Sequence, residues 1–227
     1  RRARAAGERA VSLVNEKIKP REVVTRKALL NAISADMALG GSTNSILHLL
    51  AIADEAGVEL NLGDFERIAA RVPHLCDLLP GGRYPVTEFY YEGGMQALLA
   101  EIEPFLAVDV KTVCGLSLGE LITHSRKGDR PGAEGRVIRR LENPLHKEGG
   151  LSVFYGNLAP GGAVMKRAAA GELPPVIEGP ALPFDSMEEA VEAALQGLIR
   201  KGSMIIVRYE GPQGGPGMRE MHMLSSI

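Results

Sequence analysis

The hydrophobic periodicity of this chain changes character around residues 125–135, and that change constrains the fold more than any other feature. Upstream, apolar residues recur at helical spacing. Downstream, Leu151–Tyr155, Ala163–Met165 and Met204–Tyr209 are short β-rich runs separated by glycine and proline. One helix interrupts them, opened by Asp185-Ser186 with Glu189 at capping-box spacing and continued by Ala190, Val191, Ala194 and Leu195. The changeover stretch, Ser-Arg-Lys-Gly-Asp-Arg-Pro-Gly-Ala-Glu-Gly, is polar and has no apolar period, so it reads as a linker. A run of helices followed by a run of strands favours two structural units over one mixed sheet. The expectation is a mainly helical unit over residues 1–130 and a β-rich unit over residues 136–227.

In the first part, Thr25 is placed to cap a helix running to Leu39, which Gly40-Gly41 stops. Ser42-Thr43-Asn44 then offers three caps for a second helix carrying Ile46, Leu47, Leu49, Leu50, Ile52 and Ala53 and ending at Gly57. That helix is apolar almost all round, so deep burial is expected, with His48 a satisfied core residue. Asp64 opens a short helix with Phe65, Ile68 and Ala69 inward. Leu79-Pro80-Gly81-Gly82-Arg83-Tyr84-Pro85 reads as a loop. Helix returns at about residues 94–102, and Ser117 with Glu120 opens another toward His124. Residues 1–30 hold nine Lys/Arg against three Asp/Glu, with Leu13, Val14 and Ile18 at helical spacing, which suits a solvated amphipathic helix.

Composition excludes several classes. A net charge of −2, no Trp and 4% aromatics lack the basic footprint and stacking platforms of a nucleic-acid binder. No apolar run approaches the roughly 18 residues of a membrane span. Two cysteines, Cys76 and Cys114, are too few for a disulfide scaffold and lie too far apart for a zinc or thioredoxin motif, so buried structural thiols in a cytoplasmic protein are expected. The five histidines show no metalloprotease spacing.

Two glycine-rich stretches carry candidate chemistry. Gly40-Gly41-Ser42-Thr43-Asn44 leads into a helix whose N-terminus suits an anion, although simple capping accounts for the same residues, and the lysine of a phosphate-binding loop is missing. Glu210 and Glu220 flank a loop of four glycines and two prolines directly after a strand. Two carboxylates there suit a hard cation such as Mg²⁺, with a solvated turn as the other reading. Asn157-Leu158-Ala159-Pro160-Gly161-Gly162 alone reads as a turn.

Taken in order, these pieces resemble a known family. Pro20-Arg21, Thr25-Arg26-Lys27-Ala28, Ala38-Leu39-Gly40-Gly41-Ser42-Thr43-Asn44, Leu78-Leu79-Pro80-Gly81-Gly82-Arg83-Tyr84, Glu92-Gly93-Gly94, Gly156-Asn157-Leu158-Ala159-Pro160 and Arg208-Tyr209-Glu210-Gly211-Pro212 through Gly217-Met218 to Glu220 are similar to the dihydroxy-acid dehydratase / phosphogluconate dehydratase family. The resemblance implies an α/β amino-terminal domain, here its helical part, followed by part of a β-barrel-like carboxy-terminal domain. It implies hydro-lyase chemistry, in which a 2,3-dihydroxy acid loses water to give a 2-keto acid through an enol, as in branched-chain amino-acid biosynthesis. An iron–sulfur cluster (2Fe-2S or 4Fe-4S) acts there as Lewis acid, and Mg²⁺ holds the carboxylate side. The resemblance makes Glu220 a Mg²⁺ ligand and Glu210 a residue supporting that loop. Ser42, Thr43 and Asn44, at a helix N-terminus, are expected to face the active-site cleft and help orient an anionic substrate or neighbouring ligands through their N–H groups and hydroxyls. Neither Cys76 nor Cys114 falls in a cluster-ligand motif, so the cluster ligands are expected upstream of Arg1 and the serine base beyond Ile227. The chain then reads as an internal piece of a longer enzyme, forming a homodimer or larger assembly. Glu88-Phe89-Tyr90-Tyr91-Glu92-Gly93-Gly94 looks more like the sugar-acid dehydratases, which keeps an aldonate or 6-phosphogluconate dehydratase as an alternative. A non-catalytic fragment or paralogue is the other.

Overall fold

The computed structural model describes residues 2–127, 135–170, 174, 176–211, 223, 224 and 227. Two compact units divide the chain, Arg1–Gly171 and Glu172–Ile227. The first contains α1 (Arg2–Asn15), α2 (Pro20–Val23), α3 (Arg26–Leu39), α4 (Thr43–Ala56), α5 (Leu62–Ala69), α6 (Val86–Tyr91), α7 (Gly94–Glu101) and α8 (Leu118–Lys127). The antiparallel pair β1 (Ser152–Phe154) and β2 (Ala163–Met165) and the short α9 (Arg167–Ala170) follow. The second unit pairs β3 (Ala181–Phe184) in parallel with β4 (Met204–Val207), and α10 (Met187–Leu195) makes the crossover. Among the described residues the sheets are two-stranded and no closed barrel forms, so the fold is mixed helix with a few strands. None of the described helices is long and apolar enough to cross a membrane.

Local sequence accounts for most helix boundaries. Thr25 accepts the Ala28 N–H at the start of α3, and Gly40, at φ 79°, ends it in a left-handed conformation that glycine adopts without steric cost. Ser42 caps α4, and Ser117 and Glu120 exchange hydrogen bonds at the head of α8. The α5 box closes between Asn61 and Asp64, starting the helix two residues earlier than expected.

The core of the first unit gathers Ile33, Met37, Phe65, Leu75, Leu98 and Ile102, with Val137, Ile138 and Leu151 from beyond the polar stretch. Glu92, buried at the end of α6, makes the join. Its carboxylate accepts the backbone N–H groups of Val137 (3.1 Å) and Ile138 (3.0 Å), leaving the buried backbone donors satisfied.

Two expectations are corrected here. α4 is not deeply buried: only Ile46 and Ala53 are, while Leu47 is 37% and Ile52 46% exposed. His48 is likewise exposed rather than in the core. The physical reason is that an apolar surface needs a covering element. The outer side of α4 instead borders two grooves, of about 740 and about 410 Å³, and His48 lines both.

Candidate functional site

Beneath the α3–α4 turn lies a cavity of about 230 Å³. Asp36, on the last turn of α3, lines it together with Ser42, Ser45, His74 and Lys166. The turn can be this tight because of its glycines. A Cβ on Gly41 would lie 1.9 Å from Asp36 Oδ1, and one on Gly40 would lie 2.3 Å from His74 Nε2. The carboxylate therefore packs directly against backbone. Ser45 donates its hydroxyl to Asp36 Oδ1 at 3.0 Å, and the Ser42 backbone N–H also supports the carboxylate. Oδ2 is buried and has no hydrogen-bond partner. Burial raises the Asp36 carboxyl above the usual carboxylate range; the two donors and the Lys166 charge offset that only in part.

The expected substrate residues divide between two places. Ser42 borders the polar cavity, whereas Asn44 borders the apolar groove of about 740 Å³. Thr43 is the first residue of α4. The Asn44 N–H bonds to Ser42 Oγ at 3.2 Å and the Ser45 N–H to the Ser42 carbonyl at 2.9 Å, so capping occupies these first-turn donors.

His74 forms the opposite wall and meets His146. Their Nδ1 atoms are 2.9 Å apart, with ring planes within 7° and centroids 5.2 Å apart, so the rings meet edge to edge through their nitrogens. His74 Nε2 lies 2.9 Å from the Cys76 carbonyl, which only accepts, so Nε2 carries the proton. Nδ1 of His74 is then the acceptor, and His146 Nδ1–H donates to it. Burial, followed by the nearby His146, lowers the His74 pKa to about 4. Sequence reasoning missed Asp36, His74 and Lys166. Asp36 left a signal, since a carboxylate among Ala35, Met37 and Ala38 on a buried helix needs a reason; the other two left none.

In the second unit, Glu210 Oε1 accepts the Met187 N–H at 3.2 Å, at the head of α10. Its neighbour Arg208 pairs with Asp185 rather than with Glu210. Glu220 lies outside the described residues. Among the described residues, no three His, Cys, Asp or Glu side chains are grouped to hold a metal ion. Cys76 is buried, as expected, and desolvation pushes its thiol well up, opposing the thiolate a cluster requires; Cys114 is exposed, which corrects the expectation of a second buried thiol. The buried Cys76 thiol therefore does not suit an iron–sulfur cluster.

Comparison with known proteins gives this geometry a family. Residues 1–121 match the amino-terminal region, and residues 136–227 the carboxy-terminal region, of the dihydroxy-acid/6-phosphogluconate dehydratases. The chain belongs to that family. It is 48% identical to the dihydroxy-acid dehydratase of Desulfatibacillum aliphaticivorans, covering 100% of this chain and 40% of the relative. The dihydroxy-acid dehydratase of Caldanaerobacter subterraneus subsp. tengcongensis is 47% identical, over 97% of this chain and 39% of its own length. That of Aquifex aeolicus is 43% identical over 96% and 39%. The chain thus spans about 40% of the length of the curated relatives it matches. The two family regions meet in the first unit, where His74 and Glu92 come from one and His146, Val137 and Lys166 from the other.

Proposed function

We propose that this chain forms part of a dihydroxy-acid dehydratase acting in branched-chain amino-acid biosynthesis. The reaction takes the C2 proton and the C3 hydroxyl from a 2,3-dihydroxy acid, and the resulting enol becomes a 2-keto acid. Water leaves, and there is no net oxidation. The observation that carries this reading is the 43–48% identity, sustained along nearly the whole chain, to proteins of that name. The polar cavity under the α3–α4 turn supports it, because a positive and a negative side chain line a space of small-molecule size. A cytoplasmic location and a homodimer or larger assembly belong to the same proposal.

The assay is keto-acid formation by the complete enzyme from 2,3-dihydroxyisovalerate, an aldonate and 6-phosphogluconate. The branched acid is expected to have the highest kcat/KM, and a tenfold preference for either sugar acid would replace the reading with the sugar-acid alternative. The segment that suggested sugar acids is α6 and its end, where Glu92 performs a structural task indifferent to substrate.

Glu220 is proposed as the Mg²⁺ ligand of this chain. In the complete enzyme, Glu220→Gln is expected to weaken the Mg²⁺ dependence of the rate by tenfold or more, at least about 1.4 kcal/mol. Glu210→Gln is expected to change it less, since the Glu210 carboxylate already accepts the head of α10. The reverse order would exchange the two roles.

A further inference from the structure

α3 and α4 are apolar on more than the side that packs into the core. α3 sends Ile33 and Met37 into that core, while Ala28, Ala32, Ala35 and Leu39, recurring at helical spacing on another face, line the groove of about 740 Å³. α4 buries Ile46 and Ala53, whereas Leu49 lines the same groove and the exposed Ile52 lines the adjoining one of about 410 Å³. Met95, on α7, adds a further exposed apolar side chain to the larger groove. Helices apolar on two faces are built for an interior, with packing on both. Polar side chains along the larger groove are engaged within the chain. Asn31 exchanges two hydrogen bonds of 2.8 Å with the Ala107 backbone, Lys111 pairs with Glu22 at 2.9 Å, and Thr112 donates to the Leu116 carbonyl at 2.8 Å. The groove therefore offers an occupant mainly apolar surface, which suits packed side chains better than a polar small molecule.

We propose that both grooves are interior surface, covered in the complete enzyme by the part of the same polypeptide that precedes Arg1. Every residue lining them lies between Pro20 and Leu118, within the stretch that matches the family's amino-terminal region. A domain packs its own core, and the carboxy-terminal region already begins at residue 136, so further amino-terminal chain would precede Arg1. The chain spans about 40% of its relatives' length, so most of a relative has no counterpart here and is long enough to supply the cover. The proposal rests on the reading of this chain as part of a longer dehydratase.

The test is made in the complete enzyme, with Met95 replaced by its diazirine analogue, which has nearly the same size. On irradiation, residue 95 is expected to cross-link within its own chain to a peptide preceding Arg1. A cross-link between copies, recognised in a mixture of isotopically light and heavy protein, overturns the proposal. So does a cross-link to a peptide following Ile227, or a residue 95 that reacts only with water or a small molecule. Maleimide labelling of Ile52→Cys, followed on the peptide that contains residue 52, reads the second groove. It should run at least a hundredfold more slowly in the native enzyme than in urea, and comparable rates would show an open groove and overturn the proposal there. If that variant does not fold, the residue 95 cross-link decides. Neither measurement uses turnover, so the two readings fail separately. A complete protein that prefers a sugar acid loses the branched-acid reading while its cross-links still report what covers the grooves.

Discussion

Gly150→Ala is expected to destabilise the protein by about 3 kcal/mol or more, the upper part of the range for overpacking. An added Cβ at residue 150 would lie 2.4 Å from the Gly40 Cα and 3.1 Å from its carbonyl carbon. Both are backbone atoms, and neither strand of chain is free to retreat. The Gly150 N–H is bonded to the Met37 carbonyl at 3.0 Å, and its own carbonyl accepts the Ala168 N–H at 3.0 Å. Gly40 is held at the same time by its left-handed conformation and by its N–H, which bonds to the carbonyls of Asp36 and Met37. The contrast is Gly156, where an added Cβ meets nothing within 4 Å. Gly156→Ala should leave stability within about 0.5 kcal/mol of the native value, as surface substitutions usually do. Urea denaturation midpoints of the two variants provide the check, and equal midpoints would mean that the two backbones do not touch there.

Stability is also expected to fall as pH drops from about 6.5 toward 4, and His74 is the cause. Its folded-state pKa lies near 4, against 6.5 for an ordinary histidine. Above pH 6.5 the ring is neutral in both states and contributes no pH dependence. Below that value the unfolded chain takes up a proton that the folded protein refuses until about pH 4, so acid favours unfolding across this window. At 1.36 kcal/mol per pH unit the loss reaches about 3 kcal/mol by pH 4 and then levels off. The sign follows from the geometry. His74 already donates to the Cys76 carbonyl and accepts from His146, so a second proton would remove the acceptor and leave a cation buried at 5% exposure. Titration of the His74 imidazole resonance should give a midpoint near 4. The stability of a His74→Gln variant should vary less with pH over the same window; a normal midpoint would show that the pair is open in solution.

Helix boundaries were legible in the sequence because short-range chemistry sets them. Thr25, Ser42, Ser117 and Ser186 each cap the helix their spacing predicts, and Gly40 and Gly57 end theirs at positive φ. The burial of α4 was not legible. Six apolar residues describe what the helix would bury if it were covered, and only a neighbouring element can do the covering. β3 was missed for a related reason: Ala181-Leu182-Pro183-Phe184 has a proline within it and pairs only because β4 lies alongside.

By itself the sequence determined the caps and stops of the longer helices, and the family, since the motifs Gly-Gly-Ser-Thr-Asn, Gly-Asn-Leu-Ala-Pro and Tyr-Glu-Gly-Pro occur together and in order. Tertiary structure decided which distant groups meet. Asp36 and Lys166, 130 positions apart, line one cavity, His74 and His146 pair across 72 positions, and Glu92 clamps backbone 45 positions away. Such encounters leave no periodic trace, because a lone lysine or histidine looks the same whether it faces solvent or a buried carboxylate. They depend on backbone approaches that only packing creates, such as that of Gly150 to Gly40.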